Sequence, residues 1–314
     1  RGCFLMKIFK HRGDIYVSKS GYKSSREERI LITLLILIVA VTIVFVALLS
    51  SKYSSLSQFI AGDEVSVSTT VADENDDISL PSISGKGNFL VYETDDEQSV
   101  IHYAYILQID ADDMAYKACA ISPDTKIDGK SMYSIYSTGG GAALQNKLTS
   151  YLGIDIDYYV GFKKGDFVEY ENKFGSFVYP SKESVNYDGG EKEDTYSVRI
   201  KEGEQKLQAI DVTNLLRYYI ADKKNYALAN EIILYGYTSL FNSDNYENSE
   251  TLFRHLMSSS NTNITVRDFE NNKEILFVFS KKNTDVTVYS CEVKYKNNTL
   301  TQESIKEMKG YFNK

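Results

Sequence analysis

Three sets of residues in this sequence are of types that do chemistry. The thiols and imidazoles are few: Cys3, Cys119 and Cys291, with His11, His102 and His255. No two cysteines form a CxxC pair, so a thiolate or imidazole metal site has little material. Cys119 and Cys291 keep two readings, one disulfide or two buried thiols. The second set is "DADDM", where Asp110, Asp112 and Asp113 crowd together. A calcium loop needs a glycine and a distal glutamate that this stretch lacks, which favours a solvated turn over a cation site. The third is "STGGG", ending at Gly141, ahead of a helical pattern. Free N–H groups at a helix start can hold an anion, and a flexible loop running into a helix is an equal reading.

Those residues must be positioned by a folded domain, and 314 residues with 43% hydrophobic and 25% charged content suffice for one large or two ordinary domains. "GNFLVYET", "VIHYAYILQI" and "AYKACAIS" predict strands, the last two joined as a hairpin by the acidic turn. Leu144, Leu148, Tyr151 and Leu152 recur at helical spacing, so a helix is expected from near Gly141 to Gly153. "IDIDYYVGF" predicts a strand, "DFVEYENKFG" a short helix ending at Gly175, and "SFVYP" another strand. A Gly, Lys and Glu-rich insertion over 181–204 precedes two helices, "KLQAIDVTNLLRYYIA" and "NYALANEIILYGYTSLF". The chain closes with a predicted strand pair, "KEILFVFS" and "VTVYSCEVKY", and a final short helix. Strands and helices alternate throughout, which predicts a layered α/β domain.

"ILITLLILIVAVTIVFVALLS", Ile30 to Ser50, has no charge in 21 residues. At about 1.5 Å rise per residue it would span roughly 31 Å, the hydrocarbon thickness of a bilayer. It predicts one transmembrane helix. Residues 1–29 carry eight Lys/Arg against three acids, while residues 52–314 carry 27 basic and 40 acidic residues, a net charge of −13. The basic flank places the tail in the cytoplasm and the large acidic domain outside the cell membrane. An acidic domain is also a poor partner for nucleic acid, which is gripped through Lys/Arg patches. The expected organisation is a basic cytoplasmic tail (1–29), a transmembrane helix (30–51), a Ser-rich and acidic extracytoplasmic stalk (52–85) and a folded domain (86–314).

From about Asn88 to the C-terminus the chain resembles the extracytoplasmic domain of the LytR-CpsA-Psr family, which thick-walled bacteria use to attach glycopolymers to peptidoglycan. The stretches that carry the resemblance are "YSIYSTGG", "YLGIDIDYYVGFKKGDFVEYENKFGSF" and "LQAIDVTNLLRYY". The resemblance implies a three-layer α/β/α sandwich around a mixed central sheet. It also implies an apolar tunnel for a polyprenyl chain, with the pyrophosphate at its mouth. Family members transfer a phosphoglycan from that lipid, usually with a divalent metal, Mg2+ or Mn2+.

The chemistry needs guanidinium forks to neutralise the pyrophosphate and carboxylates to hold the metal or orient those forks. By the resemblance, Asp95, Asp124 and Arg217 stand at retained family positions, with Asp95 and Asp124 as the possible metal ligands. Other positions have changed. Glu93 replaces a glycine, Glu97 an arginine and His102 an aspartate, while Pro123 and Tyr219 also stand where arginines are usual. In "KNYALANEI", Ala227 and Asn230 lie where arginines would be. Losing four charge-assisted contacts, at about 2 kcal/mol each, would weaken the head-group site by at most roughly 8 kcal/mol. Lys126, Lys130 or Lys224 would have to compensate, and Arg217 and Asp124 could simply pair with each other.

The expectation is therefore a membrane-anchored, family-like envelope protein with a degenerate site that binds polyprenyl phosphate or pyrophosphate lipid, glycopolymer or an envelope protein. The alternatives are an active glycopolymer phosphotransferase, and a domain reused for protein contacts alone with its tunnel collapsed. Its 25 tyrosines could furnish such a contact surface or simply fill the core.

Overall fold

The computed structural model describes residues 80–190 and 194–313. The basic tail, the apolar segment read as a transmembrane helix and most of the stalk lie outside the described residues. Among the described residues no helix is long and apolar enough to cross a membrane. Residues Ile78–Lys314 form one compact unit with its own contiguous core, the organisation of a domain that folds independently.

The middle of the unit is a six-stranded mixed sheet. It contains β1 (Lys86–Thr94), β2 (Ile101–Asp110), β3 (Ala115–Ile121), β6 (Tyr158–Lys163), β11 (Ser260–Thr262) and β12 (Thr287–Ser290), in the order β11-β6-β1-β2-β3-β12. The β1–β2 and β2–β3 pairs are antiparallel, and β6 and β12 add in parallel to β1 and β3. Almost every residue of β2 and β3 is buried, because both faces of the sheet are covered. That is why these strands read as continuous apolar runs rather than as alternation. Four two-stranded ribbons lie outside the sheet: β4 (Lys126–Ile127) with β5 (Lys130–Ser131), β7 (Phe177–Ser181) with β10 (Gly203–Leu207), β8 (Val185–Gly189) with β9 (Tyr196–Ile200), and β13 (Tyr295–Lys296) with β14 (Thr299–Leu300).

The helices are α1 (Met132–Leu152), α2 (Lys164–Glu171), α3 (Ala209–Arg217), α4 (Tyr226–Leu240), α5 (Ser243–Glu247), α6 (Ser249–Ser259), α7 (Val266–Asn271), α8 (Lys273–Lys281) and α9 (Gln302–Phe312). The expected helix over 141–153 is the second half of α1, whose backbone breaks at Gly139 and Gly140. Gly153 ends it in the left-handed region, at φ 64°, as a helix-terminating glycine does. Gly141 is demanded by packing, since a Cβ there would stand 2.5 Å from the Tyr92 hydroxyl and the Tyr159 ring.

Two expectations need correction. "KEILFVFS" is not a strand but α8, and the reason is visible in its packing: Ile275, Val278 and Phe279 fall at i, i+3 and i+4 and turn to the core. "DADDM" is not simply a solvated turn. Asp110 is fully buried and paired with Lys86 at 2.9 Å and Lys117 at 3.0 Å, which outweigh the effect of burial and hold its carboxyl below the usual range. Asp112 accepts the Gly85 N–H at 2.9 Å. Cys119, on β3, and Cys291, directly after β12 with its N–H on the Ala118 carbonyl at 2.9 Å, are free buried thiols. Tyr92, Tyr103, Tyr116 and Tyr179 are among the largest fully buried side chains, which makes them core aromatics.

Candidate functional site

At the C-terminal end of β1 a row of ionisable side chains runs inward from the surface. It begins with a bulge. Tyr103 pairs with Glu93 and Ile101 with Thr94, so His102 is the extra residue between them. A bulge re-aims side chains, and here it lets both His102 and Tyr103 reach the same carboxylate. Glu93 is 1% exposed. Its Oε1 lies 2.9 Å from His102 Nδ1, and its Oε2 accepts the hydroxyls of Tyr103 at 3.1 Å and Thr213, from α3, at 2.5 Å.

His102 carries the row onward. Its Nε2 lies 2.9 Å from Asp194 Oδ2, so both ring nitrogens face carboxylates. Asp194 in turn takes Arg217 as a two-pronged pair, at 2.9 Å and 2.7 Å. Burial pushes the Asp194 carboxyl up, but the Arg217 bond and the nearby His102 outweigh it and hold the group below the usual carboxylate range. The guanidinium also stacks 4.5 Å above the Tyr196 ring, whose hydroxyl donates to Asp222. A π-helical turn, Tyr218–Asp222, directly follows Arg217 and places Asp222 there.

Beside this row lies a cavity of about 470 Å³. Phe89 and Val91 of β1, Tyr105, Leu107 and Ile109 of β2, and Val212 and Leu216 of α3 contribute to its mainly apolar wall. It separates the main core from a small cluster of Val160, Phe162, Phe167 and Tyr170, all four of which also line it. Side chains two apart share a face of a strand. The next residue on that face of β1 is therefore Glu93, and on β2 it is Tyr103. Tyr103, edge-on to Phe167 at 6.3 Å, stands between the cavity and the charged row. A collapsed tunnel is thus not what the structure contains.

No family model matches the sequence, and no curated protein matches it either. Solved structures do match. One, from Eubacterium siraeum and named as a transcription regulator, has a TM-score of 0.64 at 19% identity, over 78% of this chain and 98% of that one. TagV of B. subtilis has a TM-score of 0.54 at 16% identity, covering 74% and 97%. TagT bound to LI-WTA has 0.53 at 15%, covering 73% and 89%. TagV and TagT are LytR-CpsA-Psr proteins. This chain has the LytR-CpsA-Psr fold.

Set on that fold, the residues expected from the resemblance are not brought into one constellation. Arg217 does not pair with Asp124, because Asp194 occupies it. Asp124 lies in the turn after β3, half-exposed, 3.4 Å from Lys224. Pro123 precedes it in the turn closed by the Thr125 N–H on the Ser122 carbonyl, a position whose φ proline pre-sets. Asp95 caps the β1–β2 turn, accepting the Ser99 N–H at 2.6 Å, the Val100 N–H at 3.1 Å and the Ser99 hydroxyl. Burial raises its carboxyl, and these bonds more than reverse that. Glu97 is exposed in the same turn.

The remaining changed positions have become structural. Tyr219 is buried with its hydroxyl on Glu183 at 3.0 Å. Asn230, fully buried on α4, accepts the Ala120 N–H at 2.6 Å and donates to Ser290 at 3.0 Å and the Cys291 carbonyl at 2.9 Å, tying β3 to β12. Ala227 is half-buried on the same helix, and Lys126 and Lys130 are exposed on the β4–β5 ribbon. The donor set does not fit Mg2+ or Mn2+. Both Asp95 oxygens are already engaged, Asp124 faces a lysine, and among the described residues no group of three or more His, Cys, Asp or Glu is arranged to hold a metal ion.

Glu93 was visible in the sequence only as a replaced glycine. Asp194 was not visible at all, since it lies in the insertion over 181–204. One signal was available: Glu93 and His102 both depart from the family pattern, and the departures are of complementary chemistry on adjacent strands.

Proposed function

We propose that this chain is a catalytically degenerate protein of the LytR-CpsA-Psr type. It acts in cell-envelope glycopolymer assembly by holding the chain of a polyprenyl-linked lipid rather than by transferring its cargo. On this reading Ile30–Ser50 anchors it in the cell membrane, with residues 1–29 in the cytoplasm and the folded unit outside. The observation that carries the reading is the Asp194–Arg217 pair. The retained arginine, the group that would neutralise a pyrophosphate, already has both prongs on a carboxylate.

The rest of the row supports it. Glu93, Asp194 and Asp222 bring three carboxylates against one guanidinium and one imidazole. A pyrophosphate placed there would meet a field of its own sign, and a like-charge approach in a partly desolvated site is strongly unfavourable. The neighbouring cavity retains an apolar wall able to cover a hydrocarbon chain.

The experiment is mass spectrometry of lipid recovered from the purified 78–314 unit after incubation with polyprenyl phosphate and pyrophosphate substrates and Mg2+ or Mn2+. Uncleaved lipid bound to protein is the expected result. Cleaved substrate overturns the degenerate reading, and absence of any bound lipid overturns the lipid-holding one.

A further inference from the structure

Cys119 and Cys291 are the two cysteines of the 78–314 unit, since the third, Cys3, stands in the N-terminal tail. They are placed opposite each other. β12 runs parallel to β3 with Ser290 opposite Ala118, and the Cys291 N–H continues the ladder by donating to the Ala118 carbonyl at 2.9 Å. The next pair in that register is Cys119 with Cys291. Residues paired in register point to the same face of a sheet, and neighbouring strands lie about 4.8 Å apart. A disulfide spans about 4.4–6.8 Å between Cα atoms, so the spacing of the ladder suits one.

The side chains meet. Cys119 is 0% exposed and Cys291 6%, and the two thiols share a hydrogen bond with Cys119 as the donor. That bond raises the Cys119 thiol, as burial also does, and lowers the Cys291 thiol against the opposing effects of burial, Glu307 and Glu292. Cys291 is therefore the better nucleophile of the two, and its chain neighbours Ser290 and Glu292 are both exposed. Packing alone does not call for sulfur here, because Cys119 stands between Ala118 and Ala120, which fill the same strand as plain alanines. Two sulfurs are also too few ligands for a structural zinc, and among the described residues no group of three or more His, Cys, Asp or Glu is arranged to hold a metal ion.

What the pair would join is the rim of the central sheet. β12 is an edge strand of four residues, every one of them exposed, with Val288 at 46% and Tyr289 at 44%. Short exposed edges are where a sheet frays or pairs wrongly. Beyond Cys291 the chain returns to the core through α9, whose Phe312 carbonyl accepts the Gln108 side chain at 2.7 Å. A bond between the sulfurs would pin the strand just where that return begins.

We propose that Cys119 and Cys291 form a reversible thiol–disulfide site that, when oxidised, fastens the edge strand β12 to β3. The oxidant is a small-molecule disulfide or the disulfide of a thiol–disulfide oxidoreductase. The Cys291 thiolate attacks one sulfur of that disulfide and expels the other half as a thiolate. Cys119 then gives up its proton and attacks Cys291 Sγ in the mixed disulfide, releasing the remaining half of the reagent. Two electrons and two protons pass from the pair to the reagent, which leaves as two thiols. The site is independent of the lipid-holding role.

The test is incubation of the folded 78–314 unit with oxidised glutathione in the absence of denaturant, read by intact mass and by amide hydrogen exchange. Wild type is expected to lose about 2 Da while staying monomeric, and to regain it with dithiothreitol. Cys119→Ala is expected to stop at the mixed disulfide, with one glutathione on Cys291, and Cys291→Ala to stay unmodified. In oxidised wild type the Thr287 and Cys291 amides, which bond β3, should exchange at least about tenfold more slowly than in the reduced protein. Thiols that persist under excess oxidised glutathione, or a disulfide that forms between two copies, would overturn the site. Equal exchange of those amides in the two forms would overturn the fastening of β12.

Discussion

Asp194 holds Arg217 with both carboxylate oxygens, at 2.9 Å and 2.7 Å, and passes the contact on to His102 at 2.9 Å. A guanidinium so held is neutralised where it stands, and its fork is no longer offered to a ligand. The pair therefore does two things at once: it closes the insertion over the end of α3, and it removes the cation on which phosphate recognition would depend.

Releasing that cation should restore anion affinity. Asp194→Ala is expected to bind pyrophosphate at least about tenfold more tightly than wild type, the worth of one charge-assisted hydrogen bond. Titration calorimetry at low salt measures it. Equal affinity in the two proteins would show that Asp194 is not what withholds Arg217.

Glu93 should matter for stability out of proportion to its size. Glu93→Ala strands His102, Tyr103 and Thr213 without their shared acceptor, at a cost of about 3–5 kcal/mol for breaking a buried ionic network. Urea unfolding of Glu93→Ala, His102→Ala and the double variant gives the coupling. The double variant should lose clearly less than the sum of the two single losses, because each single change already orphans the same contact.

Much of this was legible in the sequence, and what was not has physical causes. The strands β1 to β3 announced themselves because the central sheet is covered on both faces. The segment Lys273–Lys281 was misread because a short apolar run fits a strand or a buried helix equally until its packing partners are known. Arg217 was identifiable by its place after "VTNLL", but its partner was not, because Asp194 is distant in sequence and lies in an irregular segment. Glu171 falls within the short helix expected from "DFVEYENKFG", and nothing in the linear order says which acid of "DFVEYE" lines the cavity. Asn230 read as a lost arginine, whereas its three hydrogen bonds make it a strut.

That strut gives a third prediction. Asn230→Leu, similar in size, leaves the Ala120 N–H unpaired between β3 and α4 and should cost about 2 kcal/mol, whereas Ala227→Leu on the same helix should cost less. Thermal unfolding of the two variants ranks them. A smaller loss for Asn230→Leu would mean the strut is dispensable.

Glu171 gives the pH dependence. Its carboxyl stands at about 7 in the folded protein against an ordinary 4.5, so between those values the folded state binds more protons than the unfolded one. Its contribution therefore lowers stability as pH rises from 4.5 to 7, by at most about 3 kcal/mol, and is absent below 4.5, where both states are protonated. The difference in unfolding free energy between Glu171→Gln and wild type should grow in favour of the variant across that window. A difference that stays flat with pH would place the carboxyl in water rather than in the cavity wall.

The central claim is that the head-group site no longer turns over a pyrophosphate, and a phosphorus NMR time course on the 78–314 unit with a polyprenyl pyrophosphate glycopolymer donor, peptidoglycan acceptor and Mg2+ tests it directly. The account predicts that the pyrophosphate resonances persist unchanged through the course. Their conversion to phosphodiester and monophosphate signals at a rate above the protein-free control would contradict it.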